Sequence, residues 1–124
     1  MINKSPLSPH LSIHKKVMTA LFSIFHRISG IGLSLGTLLI VLWIAFLALG
    51  PKYFNFIMHY YTTNFIFKII FFIWLTGIFY HLFNGIRYLY WSLGIGMDLK
   101  TVHLSGYFVL FLTFISTIFV WFVI

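Results

Sequence analysis

Of the six histidines in the chain, His81 lies deepest within a long apolar run, and glycines stand at i−4 and i+4 from it. Gly77 and Gly85 therefore share its helix face. An imidazole with no side chain directly above or below it offers a surface on which a flat metal macrocycle can lie. The same pattern suits a neutral histidine hydrogen-bonded across a helix interface, with glycines allowing close approach. Spacing alone does not separate the two. A second constellation, Ser23, His26, Arg27 and Gly30, has the i, i+3, i+4, i+7 spacing of one helix face, which Ser34 continues. Polar groups inside spans are functional candidates because hydrocarbon makes them costly. The plainer alternative is that Arg27 snorkels to lipid phosphate and Ser23 bonds back to its own helix.

The elements that must position these groups are membrane spans. The chain has 124 residues, 61% hydrophobic and 7% charged, with one carboxylate, Asp98. Soluble domains carry roughly 25% charged residues because their surfaces meet water. Mean hydropathy is +1.04, so lipid is the natural solvent. The length allows about three spans of roughly 20 residues and no separate soluble catalytic domain. Absence of cysteine excludes disulfides, thiolate-held iron–sulfur clusters and covalent haem attachment within this chain. The net charge of +7 comes from few, scattered cations near span ends, a pattern of membrane anchoring rather than nucleic-acid binding.

The chain therefore reads as an all-α membrane protein: a polar arm over 1–19, then one anchor domain over 20–124. Its helices are expected at about 20–50, 65–91 and 103–124. Pro6 and Pro9 keep the arm irregular. Gly50-Pro51 stops the first span. Residues 51–64 read as a loop of interfacial aromatics, Tyr88, Tyr90 and Trp91 as an aromatic belt, and Ser92–Thr101 as a second loop. The 16 Phe residues are lipid-facing filler. With three spans, Lys4, Lys15, Lys16, Arg27, Arg87 and Lys100 fall on one side, and Lys52 and Lys68 on the other. The positive-inside rule then puts the N-terminus on the cytoplasmic or matrix side. The opening MINKSPLSPHLSIHKK lacks the apolar core of a secretory signal. It fits a protein made on the side from which it inserts.

His81 sits about ten residues from the inner end of its span, roughly 15 Å deep. His26 and His103 are expected near the inner surface and His59 in the outer loop, so none is level with it. If His81 ligates a haem, the second axial ligand must come from a partner chain. Span three, with Thr113, Ser116 and Thr117, reads as a small-residue packing stripe.

These segments carry a family likeness. SPLSPHLSIHKK, followed by Ser23-Ile24-Phe25-His26-Arg27-Ile28-Ser29-Gly30, resembles the cytochrome b subunits of succinate dehydrogenase, the larger haem-anchoring subunits of respiratory complex II. That family has an R-P-x-S-P-H-L-like arm, then S-x-x-H-R-x-[ST]-G entering its first span. Its second signature, H-x-x-x-G-I-R-H, corresponds here to His81-Leu82-Phe83-Asn84-Gly85-Ile86-Arg87-Tyr88. The likeness covers nearly the whole chain and the spacing between motifs.

The resemblance implies that His81 is an axial ligand of haem b, with the other histidine supplied by a small membrane anchor subunit. Ser23 and Arg27 would border a ubiquinone site where the iron–sulfur subunit docks, and a flavoprotein subunit would complete the assembly. His26, Arg27 and Tyr88 would lie near the haem propionates. The chain would be a non-catalytic anchor in a heteromeric helix bundle. It would lie in an inner membrane, with an organelle-encoded mitochondrial protein favoured over a bacterial one. Ser5 replaces an arginine of the pattern, Tyr88 a histidine and Ser92 an acidic residue. Asp98, six residues beyond Ser92, does not stand in for it. The competing reading is a non-redox structural or assembly subunit.

Overall fold

The structure, a computed structural model, describes residues 18–123. The arm up to residue 17, with Ser5, Pro6, Pro9 and Lys4, Lys15 and Lys16, lies outside the described residues. Among the described residues four helices follow one another: α1 Met18–Ala48, α2 Pro51–Thr63, α3 Phe65–Ser92 and α4 Leu99–Val123. Three of them, α1, α3 and α4, are long and apolar enough to cross a membrane. At 1.5 Å per residue, the 28 residues of α3 span about 42 Å, well beyond a hydrocarbon core of about 30 Å.

Residues 51–64 are not a loop, which corrects the sequence reading. Gly50 takes φ 110°, a region open to glycine, and Pro51 starts α2 with its φ already near the helical value. Phe54, Ile57, Met58 and Tyr61 are the half-buried positions of α2, and their i, i+3, i+4, i+7 spacing turns one apolar face toward the spans. Trp43 meets Phe54 at 6.3 Å between ring centroids, and Tyr61 meets Phe71 edge-on at 5.6 Å. Asn64 then ends α2 in an extended conformation. Its side-chain oxygen accepts from the Ile66 N–H at 3.0 Å, capping α3.

The second connection is shorter than the sequence suggested. Gly94 and Gly96 turn the chain with φ 76° and 73°. Asp98 accepts from the Thr101 N–H at 2.9 Å and the Thr101 hydroxyl at 2.8 Å. This cap starts α4 at Leu99, four residues earlier than the hydropathy pattern alone proposes. The same two bonds hold the Asp98 carboxyl below its ordinary pKa.

α3 is the central helix, with α1 and α4 packed against it. Packing is inverted relative to a water-soluble domain. Large apolar residues such as Leu39, Phe114 and Phe119 face outward, whereas Asn84, Arg87, Thr113 and Thr117 are buried. The buried apolar cluster is small: Phe22, Tyr80 and Val109, with Met18 and Phe83 against it. Lipid provides no hydrophobic drive between helices, so close packing and interhelical hydrogen bonds hold them together. Gly106 and Gly36 provide the close approaches. A methyl on Gly106 would stand 2.7 Å from Phe22 Cε2, and one on Gly36 would overlap the Trp74 indole.

Candidate functional site

The site forms where α1 and α3 cross. His81 lies against the α1 backbone at Gly30, where an added Cβ would stand 3.1 Å from His81 Cε1. Gly30 therefore makes room for the imidazole. Ser29, one residue earlier, turns its hydroxyl to His81 Nδ1 at 3.1 Å and donates to the His26 carbonyl at 2.8 Å. The same carbonyl lies 3.2 Å from His81 Nδ1. A carbonyl oxygen only accepts, so this network assigns the proton to Nδ1. The lone pair is then on Nε2, across the ring, which has no partner among the described residues. A metal-bound histidine has this arrangement, with one nitrogen donating to a backbone carbonyl and the other free to ligate.

The glycines around His81 differ in what surrounds them. A methyl at Gly77 would meet nothing within 4 Å, and one at Gly85 would make an ordinary 3.7 Å contact with His26 Cε1. Close packing of helices within this chain thus does not account for Gly77. One turn from His81, on the same face, the helix surface is bare.

His26 is nearer His81 than the sequence reading placed it. The two rings stack with centroids 4.0 Å apart and planes 6° from parallel. The reason is that α1 and α3 run antiparallel where they cross, with His26 against His81 and Gly36 against Trp74, which brings the two imidazoles level. His26 still does not complete a ligand pair with His81. Axial ligands oppose each other across a metal, whereas stacked rings set their nitrogens side by side. His26 Nδ1 and the Tyr88 hydroxyl are buried without hydrogen-bond partners among the described residues. Their rings meet edge-on at 5.1 Å. Arg27 is exposed and Ser23 half-buried on α1, and neither makes a side-chain hydrogen bond to a described residue. The structure therefore joins His26, His81 and Tyr88, with Ser23 and Arg27 on the same helix as His26 but outside that cluster. Among the described residues, no group of three or more His, Cys, Asp or Glu side chains converges.

Sequence reasoning missed the polar network beside this cluster. Arg87, counted above as a cation at a span end, is 5% exposed. It donates from Nε to Ser105 Oγ at 2.9 Å and from its terminal nitrogens to Asn84 Oδ1 at 3.2 Å and the Val102 carbonyl at 2.8 Å. The Trp91 ring covers its guanidinium at 4.1 Å and the Phe22 ring lies at 5.0 Å. Asn84, fully buried, reaches the Phe22 carbonyl at 3.5 Å, and the Tyr80 hydroxyl donates to the same oxygen at 2.9 Å. Arg87, Asn84 and Tyr80 thus join α3 to both neighbouring helices. The visible signal was Asn84 and Arg87 at i, i+3 within an apolar helix. Their burial depended on which helices faced them.

The family model for the succinate dehydrogenase/fumarate reductase transmembrane subunit matches residues 1–120 of the chain. The chain belongs to this family. Relatives agree along nearly its full length. A succinate dehydrogenase cytochrome b560 subunit of Reclinomonas americana is 40% identical over 120 residues, covering 94% of this chain and 83% of the relative. A cytochrome b556 subunit of Rickettsia bellii is 33% identical over 127 residues, covering 96% and 92%. The mitochondrial cytochrome b560 subunit of Bos taurus is 36% identical over 127 residues, covering 91% and 68%. Membership accounts for the paired motifs, and the three apolar helices are those of a transmembrane subunit.

Proposed function

We propose that this chain is the cytochrome b anchor of a succinate dehydrogenase, with His81 Nε2 as one axial ligand of a haem b. The observation that carries the reading is the assignment of the His81 proton to Nδ1 by the His26 carbonyl, which frees Nε2. The bare Gly77 surface on the same helix face supports it. The other haem-holding histidine would come from a small membrane anchor subunit. Haem, when bound, supplies a one-electron redox centre whose potential depends on ligation, burial and neighbouring charge.

The chain's own groups bind and orient. The Tyr88 hydroxyl and His26 Nδ1, both buried and without hydrogen-bond partners among the described residues, would donate to the haem propionates, with Arg27 adding positive charge. Ser23 donates to a carbonyl of ubiquinone, and Arg27 stabilises negative charge that develops on the quinone head during reduction. Electrons reach this face from succinate through flavoprotein and iron–sulfur partner subunits. The N-terminus lies on the matrix or cytoplasmic side. With Arg87 removed from the charge comparison because it is buried, Lys4, Lys15, Lys16, Arg27 and Lys100 still outnumber Lys52 and Lys68. The membrane is an inner membrane, that of a mitochondrion with the chain encoded in the organelle.

Optical spectra of the purified complex test the ligand: His81→Ala should abolish the b-type haem absorbance of an assembled complex. An unchanged spectrum would leave a structural histidine, for which the His26–His81 stacking is the favouring observation. For the quinone site, Arg27→Ala should impair succinate–quinone reduction while succinate oxidation by an artificial acceptor persists. Equal loss of both activities would mean failed assembly and count against the assignment.

A further inference from the structure

Arg87 raises a question that haem and quinone do not answer. It is a cation held among apolar helices with no acidic partner. The chain's single carboxylate, Asp98, is engaged by Thr101 at the exposed start of α4. Among the described residues, Arg87 is bonded only to neutral groups. Three of its N–H groups are used, and a guanidinium has five. An uncompensated charge in a low-dielectric setting favours a counterion strongly.

A cavity of about 420 Å³ opens beside it, between α3 and α4. This volume lies within the roughly 300–1,000 Å³ typical of small-molecule sites. Its polar groups gather toward one end, among Tyr90, Trp91 and Ile95. Arg87, Thr101 and Ser105 are at the end near the α3–α4 turn, and Phe83, Phe108 and Leu112 extend toward the membrane centre. Depth agrees with that arrangement. α3 exceeds a hydrocarbon core of about 30 Å by roughly 6 Å at each end, and Arg87 lies five residues, about 7 Å, from its C-terminal end. The guanidinium is therefore near the boundary where lipid phosphates sit. The N-terminus of α4, also at this end, adds a partial positive charge.

We propose that this groove is a binding site for an anionic phospholipid, its phosphate paired with the two unused Arg87 N–H groups and an acyl chain along Phe83, Phe108 and Leu112. Basic pockets between membrane helices select acidic headgroups in this way. The lipid would supply the missing counter-charge and join α3 to α4.

Native mass spectrometry of the assembled, delipidated complex tests this, with dioleoyl phosphatidylglycerol, dioleoyl phosphatidylcholine and inorganic phosphate as separate probes. Phosphatidylglycerol should occupy a site in the wild type about fivefold more tightly than phosphatidylcholine, whose choline offsets its phosphate charge, the scale of one basic side chain meeting a net anionic lipid. Arg87→Gln should remove that preference and Arg87→Lys should keep most of it. Because Arg87 variants also disturb helix packing, Leu112→Trp is the second arm. It fills the apolar end, leaves the guanidinium bonds in place and should lower lipid occupancy. Equal phosphatidylglycerol binding in the wild type, Arg87→Gln and Leu112→Trp would overturn the proposal. So would phosphate alone binding as well as the lipid, or a neutral quinone found in the groove. Haem absorbance of the same samples reports on His81 separately.

Discussion

Replacing Gly77 with leucine tests the macrocycle surface without touching the ligand. No atom of the described residues lies within 4 Å of a methyl placed there, so the new Cβ has open space. Glycine is also about 1 kcal/mol poorer than alanine inside a helix, and leucine is close to alanine. The helix itself should therefore be neutral or stabilised by up to about 1 kcal/mol. A macrocycle held by His81 one turn away would instead meet a four-carbon side chain. Overpacking typically costs about 1–3 kcal/mol, equivalent to roughly 5- to 150-fold in haem affinity. The assay is haem content per flavin in the purified complex, read from the reduced-minus-oxidised spectrum, together with thermal unfolding. Gly32→Leu is the control, because that glycine on α1 also has nothing within 4 Å and faces outward. Gly77→Leu should lose haem while Gly32→Leu retains it. Full haem content and an unshifted spectrum in Gly77→Leu would refute the reasoning, since the bare face would then serve something else.

Two further outcomes follow from the packing and the cap. Gly106→Ala places a methyl 2.7 Å from Phe22 Cε2 and should destabilise the complex by about 1–3 kcal/mol, visible as a lowered melting temperature by helical circular dichroism. A melt equal to wild type would mean Phe22 moves aside freely. At the α4 cap, the Asp98 carboxyl is held below its ordinary value by Thr101. A depressed carboxyl contributes above its unfolded pKa, and the contribution is lost as pH falls through the folded value. The protection factor of the Thr101 amide, taken against its intrinsic exchange rate at each pH, should therefore hold at neutral pH and fall only in acid, below the ordinary aspartate range. Asp98→Ala should show fast exchange throughout, and pH-independent protection in the wild type would contradict the cap.

Much of the site was legible because its signals are local. A face at i, i+3, i+4, i+7 needs only helical periodicity, and this located Ser23, His26, Arg27 and Gly30, as well as His81 between Gly77 and Gly85. The interfacial helix α2 was missed although Phe54, Ile57, Met58 and Tyr61 carry the same periodicity. Its tyrosines and polar residues resemble those of a membrane-surface loop, and an interfacial helix shares that composition. Arg87 was misplaced for a different reason. An arginine near the end of an apolar run ordinarily snorkels to water. Only the arrival of Ser105 and the Val102 carbonyl from α4, with Phe22 from α1, makes its burial possible.

Composition alone settled that the chain lives in lipid, since one carboxylate and 7% charge cannot clothe a surface in water. Hydropathy runs set the number of spans and Gly50-Pro51 marked the end of the first, whereas the Asn64 and Asp98 caps were seen only in the structure. Which faces meet was decided only in three dimensions. Helix rotation and register come from glycine clefts and buried hydrogen bonds between segments some 55 residues apart in sequence, as where the His26 carbonyl meets His81. That contact decides which imidazole nitrogen carries the proton, and no pattern along a single helix encodes it.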